Sequence, residues 1–574
     1  MQNFCRASFS VALLGSGGAG IVTIGQLLLT LAARRGLYGV MSKSYGPQIR
    51  GGESAALLRL ADQPVFCAPD SFDLVLAVDW RNADRFADEM PLRADSLIVS
   101  DEAGGDPPAF TGVAENHEVL PLTGLAKTVK RGRSNMVALG WLARWLGCEF
   151  GELEALLGEH FANKGEDVVG ASVETARVGF EHFGDERAPV DIPLPAEAER
   201  WMLSGNEAAG FGALKGGIRF VAAYPITPAS DLLEYMAPRL QKVGGALLQA
   251  EDELASINAV IGASWGGSPS LTATSGPGLA LMTEALGLAV MSETPLVVVD
   301  VQRGGPSTGI PTKSEQTDLN IALHGLHGDA PHLVLAPLGI ADAMVTTQWA
   351  VHLAETLQSP ALVLSDQFLG QTTAVIDRPA DVDFETKRLR AELEPGAEYQ
   401  RYAVTADGFS PMAVPGDPGG MHTADGLEHQ PSGTPSSAAA DHHAQLDKRL
   451  RKLEAFDYGE LACHSEGSGV IAIVCWGSAL GACHEARERL AADGLDVRVV
   501  APRLLAPLPV DALREALDGA DRVLVVEQSH RGQFLRYLRS ELNGLDARLM
   551  ARPGPLPIRP GDVIDQVRQM EQTP

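Results

Sequence analysis

Closely spaced cysteines are missing from this sequence. The six cysteines are scattered and form no CxxC pair; they are Cys5, Cys67, Cys148, Cys463, Cys475 and Cys483. Proteins hold iron–sulfur clusters and structural zinc with sets of cysteines at short, regular spacings. We therefore expect neither a cysteine-held cluster nor a zinc site in this chain, and one-electron transfer would need redox centres on another polypeptide.

Long apolar runs and a basic surface are also missing. No apolar run approaches the roughly 20 residues of a transmembrane helix, and the N-terminal segment has no signal-peptide cleavage pattern, so a cytoplasmic location is expected. The 574 residues include 46 basic and 73 acidic ones, which gives a net charge of −27. An acidic surface repels phosphate backbones and anionic lipids, so neither nucleic acid nor a membrane is an expected partner.

The chain does contain a repeated alternation of strand and helix patterns. This alternation predicts an α/β protein with several doubly wound domains, because the chain is too long for one core. The predicted segments are an α/β domain at 1–190, a second at 195–378, an irregular linker or loop at 379–467 and a third α/β domain at 468–574. The irregular segment is rich in Gly, Pro, Ser and His, but its histidines match no metal-ligand spacing, so no metal site is predicted in this chain.

Polar motifs follow consecutive predicted strands of the second domain. YPITP at 224–228 follows one strand, the acids at 251–253 enter a helix after the next, SGPG at 275–278 follows a third, and QRGGPSTGIPT at 302–312 follows a fourth. Loops after parallel strands meet at the carboxyl edge of a doubly wound sheet, where ligands bind. The sequence therefore predicts a binding site at this edge.

Each of these motifs also has a purely structural interpretation. The acids could favour the positive end of a helix dipole. Thr227 could be the N-cap of the next helix, with a proline at its first position. Arg303 could form a salt bridge at the end of a strand. Leu254, Ile257 and Ile261 are predicted to share one face of the helix that follows the acids.

A glycine-rich turn, GSGGAGIVTIG at 15–25, joins the first predicted strand to a helix. It fits the GxGxxG pattern of nicotinamide dinucleotide sites, but that pattern also requires an acid about 20 residues later for the ribose. No Asp or Glu precedes Glu53. Bound NAD is therefore not predicted.

These motifs together resemble one family. YPITP, EDELA and QRGGPSTGIPT, in this order, are similar to the alpha subunit of the 2-oxoacid:ferredoxin oxidoreductases, and the glycine turn with KSYGPQIRGGES at 43–54 resembles their gamma domain. The resemblance covers nearly the whole chain and implies a gamma domain fused ahead of an alpha subunit. It also implies that 195–378 is a thiamine diphosphate domain of the pyrimidine-binding type and that the last block is similar to the C-terminal domain of transketolase-type enzymes.

The resemblance implies a catalytic acid and a substrate-binding set. It places Glu253, rather than Glu251 or Asp252, beside the aminopyrimidine of thiamine diphosphate, where a carboxylic acid favours the imino tautomer that activates the cofactor. It brings Thr227 close to the oxoacid and the thiazolium ring. It assigns the oxoacid carboxylate to Arg303, whose guanidinium can donate two parallel hydrogen bonds.

Further contacts are implied by the same resemblance. Those to thiamine diphosphate are Tyr224, Pro225 and Ile226. Thr312 matches a position linked to substrate choice. Lys43 and Arg50, in a glycine-rich basic loop, are candidates for binding coenzyme A phosphates, and a loop that packs on the second domain is the alternative for either residue.

The resemblance implies partners as well. The sequence has no GDG motif with a downstream Asn, the feature that holds Mg²⁺ and the diphosphate in thiamine enzymes and that belongs to the family's beta subunit. We expect a beta subunit that carries this site and an iron–sulfur cluster, ferredoxin as electron acceptor, and a dimer of heterodimers (a heterotetramer), with this chain inactive alone. The expected reaction converts 2-oxoglutarate and coenzyme A to succinyl-CoA, carbon dioxide and reduced ferredoxin, and it is reversible in principle. The alternatives are a subunit of a pyruvate or broad-range 2-oxoacid oxidoreductase, and a non-catalytic scaffold or regulatory subunit.

Overall fold

The structure is a computed structural model that describes residues 8–46, 52–182, 190, 192–195, 199–384, 386–393 and 398–572. The chain divides into two compact units: the first comprises Met1–Leu203, Thr372–Pro379 and Arg559–Gly561, and the second comprises Ser204–Gln371, Ala380–Ile558 and Asp562–Pro574. Strands and helices alternate in both units, which confirms the predicted α/β class. None of the helices in the described residues is both long enough and apolar enough to cross a membrane.

Residues up to Leu203 supply most of the first unit. Their strands are β1 Ser8–Gly15, β2 Tyr38–Tyr45, β3 Ser54–Ala61, β4 Phe72–Ala77, β5 Leu92–Asp101, β6 Asn116–Leu120 and β7 Arg200–Ser204. Their α-helices are α1 Ile21–Arg34, α2 Leu122–Ala126, α3 Ser134–Trp145, α4 Phe150–Phe161 and α5 Glu166–His182. Apolar residues of β1 and α1 lie with those of α3 in one buried cluster.

Residues 205–377 contain the four predicted motifs. Their α-helices are α6 Gly205–Gly216, α7 Ser230–Leu240, α8 Glu253–Trp265, α9 Gly276–Met291, α10 Leu319–His324, α11 Ile340–Leu357 and α12 Gln367–Gln371. Their strands are β8 Phe220–Ala223, β9 Ala246–Gln249, β10 Ser270–Thr274, β11 Leu296–Gln302, β12 Leu333–Leu335, β13 Pro360–Asp366 and β14 Thr373–Asp377. Strands β8 to β13 form a parallel sheet of the second unit in the order β12-β13-β11-β10-β8-β9. Strand β11 is buried along its whole length, as expected for a parallel strand covered on both faces.

Strand β14 departs from the predicted domain boundary. Contiguity in the sequence assigns it to the 195–378 block, but it pairs antiparallel with β2, with Thr373 opposite Met41. It thereby belongs to the sheet of the first unit, whose order is β6-β5-β4-β1-β3-β2-β14-β7. A strand pattern gives no information about its pairing partner when that partner lies far upstream, so the sequence could not predict that β14 pairs with β2.

The C-terminal residues form a third sheet inside the second unit. The elements are α13 Ala439–Glu454, β15 Cys463–Glu466, β16 Ile471–Cys475, α14 Ala479–Ala492, β17 Val497–Pro502, β18 Leu504–Ala506, α15 Val510–Leu517, β19 Arg522–Glu527, α16 Gln533–Glu541, β20 Arg548–Ala551 and α17 Pro560–Gln572. The sheet order is β15-β17-β16-β19-β20, whereas β18 pairs antiparallel with β12 of the second sheet. Val298 of β11 and Phe534 of α16 belong to one buried apolar cluster, so the two sheets share a core.

The irregular segment between β14 and α13 is held by buried charges. Among its described residues up to 438, pairing is limited to isolated bridges. Glu293, which follows α9, accepts hydrogen bonds from the Nζ atoms of Lys448 at 2.6 Å and Lys452 at 2.8 Å. Arg401 donates to the backbone oxygen of Glu293 at 2.8 Å. All four side chains are buried, and this charge cluster fixes both the segment and α13 to the second unit.

Candidate active site

Four loops of the second unit meet at the carboxyl edge of its parallel sheet. Strands β9, β8, β10 and β11 lie side by side in that order. Glu253 follows β9, Thr227 follows β8, the SGPG turn at 275–278 follows β10, and Arg303 follows β11. The predicted motifs are therefore neighbours along one edge, the position at which open α/β sheets bind ligands.

The three acids at 251–253 have different environments. Asp252 is the N-cap of α8 and accepts a hydrogen bond from Ala255 N at 2.7 Å. Glu251 is exposed, whereas Glu253 is only 6% exposed. The helix-dipole interpretation thus describes Asp252, and burial distinguishes Glu253 from its neighbours.

Glu253 lies on the buried face of α8. That face consists of Glu253, Ser256, Ile257, Val260, Ile261 and Ser264. The prediction that Leu254 shares a face with Ile257 and Ile261 is wrong in this respect, because Leu254 is 49% exposed. Since α8 begins at Glu253, the 3.6-residue period that starts there turns Leu254 away from the buried side.

The SGPG turn contacts the carboxyl group of Glu253. A Cβ atom added at Gly278 would lie 2.7 Å from Glu253 Oε1 and 2.0 Å from Thr274 Oγ1, so only glycine fits. Within the described residues, the carboxyl oxygens of Glu253 have no hydrogen-bond partner. This site therefore fits a ligand that brings its own nitrogen to the carboxyl group, as an aminopyrimidine would.

Arg303 and Thr227 are in direct contact. The Nη1 atom of Arg303 donates a hydrogen bond to Thr227 O at 2.5 Å. Arg303 is buried, and this burial lowers its pKa, against the opposing effect of the Asp318 carboxyl group. Its Nε has no partner in the described part of the chain. The guanidinium thus retains a donor that is both unpaired and shielded from solvent, beside the loops at the sheet edge.

The N-cap interpretation of Thr227 is wrong. Helix α7 begins at Ser230, and the preceding residue is Ala229. Thr227 is instead half-buried in the connection from β8 to α7, with Tyr224 and Pro225 exposed and Ile226 half-buried. The residues between this strand and this helix are therefore accessible to a ligand.

Thr312 shares a closed loop with Arg303. Gly304 N donates to Lys313 O at 2.9 Å, and Ile310 N donates to Gly304 O at 2.7 Å. The tip at 305–311 is exposed, while Thr312 is half-buried near the closing end. The loop brings the two predicted substrate residues into one backbone unit.

The sequence interpretation missed two buried acids, Asp300 and Asp318. Burial and the neighbouring carboxyl group of Asp318 raise the pKa of Asp300 well above its usual range. Burial raises the pKa of Asp318 to about 6. A Cβ atom at Gly276 would lie 2.5 Å from Asp318 Oδ1, so this pair supports the turn that contacts Glu253. The signal was an aspartate within the otherwise apolar strand LVVVDVQ.

The candidate coenzyme A residues lie in the first unit. Lys43 is half-buried within β2 rather than in a loop, and Arg50 lies outside the described residues. The glycine turn is formed as predicted, with positive φ at Gly18 and Gly20. Ser16 of this turn donates from its backbone to Asp79 Oδ2 at 2.9 Å, which fixes the turn to the end of β4.

Family comparisons agree with this arrangement. A family model described as pyruvate flavodoxin/ferredoxin oxidoreductase, thiamine diP-bdg, matches residues 211–448. Another, described as pyruvate ferredoxin/flavodoxin oxidoreductase, matches 10–182, and a transketolase C-terminal domain matches 459–548. The predicted thiamine diphosphate domain and transketolase-like domain are thereby confirmed.

Similar proteins extend over nearly the whole chain. Identity is 30% to 2-oxoacid:ferredoxin oxidoreductase 2, subunit alpha, of Aeropyrum pernix, over 92% of each chain. It is 32% to 2-oxoglutarate oxidoreductase subunit KorA of Mycobacterium tuberculosis, over 92% of this chain and 87% of that one. A solved structure of 2-oxoglutarate:ferredoxin oxidoreductase from Magnetococcus marinus, with 2-oxoglutarate, coenzyme A and succinyl-CoA bound, is 37% identical, with a TM-score of 0.91 over 99% of this chain and 100% of that one. The chain therefore belongs to the 2-oxoacid:ferredoxin oxidoreductase family, as an alpha subunit with a fused gamma domain.

Proposed function

We propose that this chain is the alpha subunit of a thiamine diphosphate-dependent 2-oxoglutarate:ferredoxin oxidoreductase. The reaction converts 2-oxoglutarate and coenzyme A to succinyl-CoA, carbon dioxide and reduced ferredoxin. The observation that carries the proposal is the carboxyl group of Glu253, a buried residue without a hydrogen-bond partner among the described residues, on the sheet edge that also bears the Arg303–Thr227 contact. The choice of 2-oxoglutarate over pyruvate rests on the Mycobacterium tuberculosis and Magnetococcus marinus relatives.

The residues at the carboxyl edge of the sheet have separate roles in binding the cofactor and the substrate. When bound, thiamine diphosphate supplies the carbanion stabilisation that decarboxylation requires. Glu253 would hold its aminopyrimidine through a carboxyl proton. Arg303 would bind the oxoacid carboxylate, aimed by its bond to Thr227 O, and Thr227 and Thr312 would contact the substrate. Tyr224, Pro225 and Ile226 would line the cofactor site.

The remaining components lie elsewhere. We assign Mg²⁺, the diphosphate site and an iron–sulfur cluster to a beta subunit, in a dimer of heterodimers that reduces ferredoxin. Coenzyme A is assigned to the first unit, with Lys43 and Arg50 as its phosphate contacts. The coenzyme A and succinyl-CoA in the Magnetococcus marinus structure support coenzyme A as the cosubstrate.

The test of function is Glu253→Gln in the complex purified with its beta subunit. Gln preserves the packing against Gly278 but cannot exchange a carboxyl proton, so coenzyme A-dependent ferredoxin reduction should fall about 10²–10⁴-fold. The control is Glu251→Gln, an exposed neighbour that should retain wild-type rates. Full activity of Glu253→Gln would refute the assignment of this residue.

Substrate choice is tested in the same complex. The kcat/KM for 2-oxoglutarate should exceed that for pyruvate by at least about tenfold. The reverse preference would favour a pyruvate enzyme and similar values a broad-range one. No turnover of any 2-oxoacid by the wild-type complex would favour a scaffold or regulatory subunit.

A further inference from the structure

The carboxyl edge of the C-terminal sheet is occupied by a segment of this same chain. In an open α/β sheet, this edge is the usual ligand-binding position. Here residues 314–320, which follow the Arg303 loop, lie against the ends of the adjacent parallel strands β16 and β19. The C-terminal domain therefore binds a peptide segment at the place where related folds bind small molecules.

Gln316 is the centre of this contact. Its backbone N donates to Gln528 O at 2.8 Å, and its Oε1 accepts from Gln528 N at 2.9 Å. Its Nε2 donates to Trp476 O at 2.9 Å. Gln316 is fully buried, so loss of its amide would leave a backbone N–H and a carbonyl without partners.

Residues on both sides of Gln316 are held in the same way. Gln533, at the start of α16, donates to Thr317 O at 2.9 Å and accepts from Asn320 N at 2.9 Å. Glu315 Oε1 accepts from Gly554 N at 2.8 Å. We call residues 314–320 the clamped segment.

The clamped segment forms the base of the Arg303 loop. The loop closes on itself through Gly304 N and Lys313 O, and the clamped segment begins at the next residue. Within the segment, Asp318 N donates to Gln302 Oε1 at 3.0 Å, which joins the segment to the residue that precedes Arg303. The clamped segment thus connects the backbone on both sides of the Arg303 loop to the C-terminal domain.

We propose that the C-terminal domain positions the substrate arginine, with Gln316 and Gln533 as the positioning residues. This inference rests on the proposed function, in which Arg303 binds the 2-oxoacid carboxylate. Release of the clamped segment would loosen the loop directly, whereas it would reach Glu253 only indirectly, through Asp318 and the SGPG turn. It should therefore weaken substrate binding more than it slows the chemical step.

The experiment uses the reconstituted complex with Gln316→Leu and, because that change leaves buried groups unpaired, also the milder Gln533→Ala. For each variant, KM for the 2-oxoacid should rise about tenfold while kcat stays within about twofold. Hydrogen exchange at Gly304, Ile310 and Lys313 should accelerate in the same variants. Tyr537→Phe is the control, because it removes a buried hydrogen bond in the same domain whose acceptor, Leu505 O, lies outside the clamped segment.

The proposal is overturned if hydrogen exchange in the Arg303 loop is unchanged in Gln533→Ala, or if exchange accelerates while KM does not rise. An equal KM increase in Tyr537→Phe would also overturn it, since the effect would then be general destabilisation of the domain. If the wild-type complex turns over no 2-oxoacid, the proposed function fails. Hydrogen exchange of the Arg303 loop in the two variants then tests by itself whether the C-terminal domain holds the loop.

Discussion

Asp318 shows how a single buried carboxyl group links the elements of the site. Its backbone N contacts the β11 end through Gln302, and its carboxyl group lies against Gly276 at the start of α9. It also shares its surroundings with Asp300, Glu315 and Arg303, of which only Arg303 is cationic. Two carboxyl groups in so little solvent favour a shared proton over two charges. The SGPG turn that contacts Glu253 therefore packs against Asp318, whose surroundings favour the neutral form of its carboxyl group.

The folding stability of Asp318→Asn should fall less than that of the wild type as the pH rises. A raised pKa in the folded state means that the native protein binds more protons than the unfolded chain, so stability is greatest below the ordinary Asp pKa and falls as pH rises towards about 6. Asn has no proton to lose, so the variant lacks this pH-dependent loss of stability. The loss amounts to at most about 3 kcal/mol in the free energy of unfolding. The difference in thermal midpoint between variant and wild type should shift in favour of the variant from pH 4 to pH 7.

The matched control for this pH series is Asp511→Asn, since Asp511 is fully exposed on α15. Its thermal midpoint should follow that of the wild type at each pH. Parallel curves for Asp318→Asn and the wild type would contradict a raised pKa at Asp318.

At the scale of elements, the sequence predicts the strands and helices that have strong apolar patterns. It does not predict those that form only because of tertiary contacts. LVVVDVQ predicts β11 because its composition alone requires burial on both faces. Helix α6 was missed because glycines at 205, 210, 212 and 216 oppose a helix in isolation. Tertiary contact reverses this preference: a Cβ atom at Gly212 would lie 2.1 Å from Met344 O of α11. The one local signal was the capping box of Ser204 and Glu207.

Helix α13 illustrates an element held by charge rather than by an apolar face. Replacing Glu293 with Gln would leave the ammonium groups of Lys448 and Lys452 buried without a counterion. Breaking a buried ion pair in this way destabilises by about 3–5 kcal/mol. We therefore expect Glu293→Gln to lower the thermal midpoint and to accelerate hydrogen exchange across Ala439–Glu454.

Glu284→Gln is the control for Glu293→Gln, because Glu284 is an exposed acid on α9, the helix that ends just before Glu293. It should leave both measurements at their wild-type values. Normal protection of α13 in Glu293→Gln would show that other contacts hold the helix.

At the scale of the whole molecule, the order of the motifs carried more information than any one of them. Thr227, Glu253 and Arg303 are far apart in the sequence, and the parallel strand order β9-β8-β10-β11 brings their loops to one edge. The sequence could predict this convergence from the rules of doubly wound sheets. It could not predict the clamp at Gln316, because that contact joins two sheets and uses backbone groups that no side-chain pattern reveals.

In the proposed function, this chain supplies a carboxyl group for the aminopyrimidine, whereas its sequence has no GDG motif for Mg²⁺ and the diphosphate. Thiamine diphosphate with Mg²⁺ should therefore leave the thermal midpoint of the isolated chain unchanged and raise that of the complex with the beta subunit. The reason is mass action: a ligand at 100 times its Kd stabilises the native state by about 2.7 kcal/mol, and an incomplete site cannot reach that ratio. In the complex, Glu253→Gln should reduce the rise and Glu251→Gln should not. A rise of equal size in the isolated chain would mean that this chain binds the diphosphate by itself, and the division of the site between two subunits would be wrong.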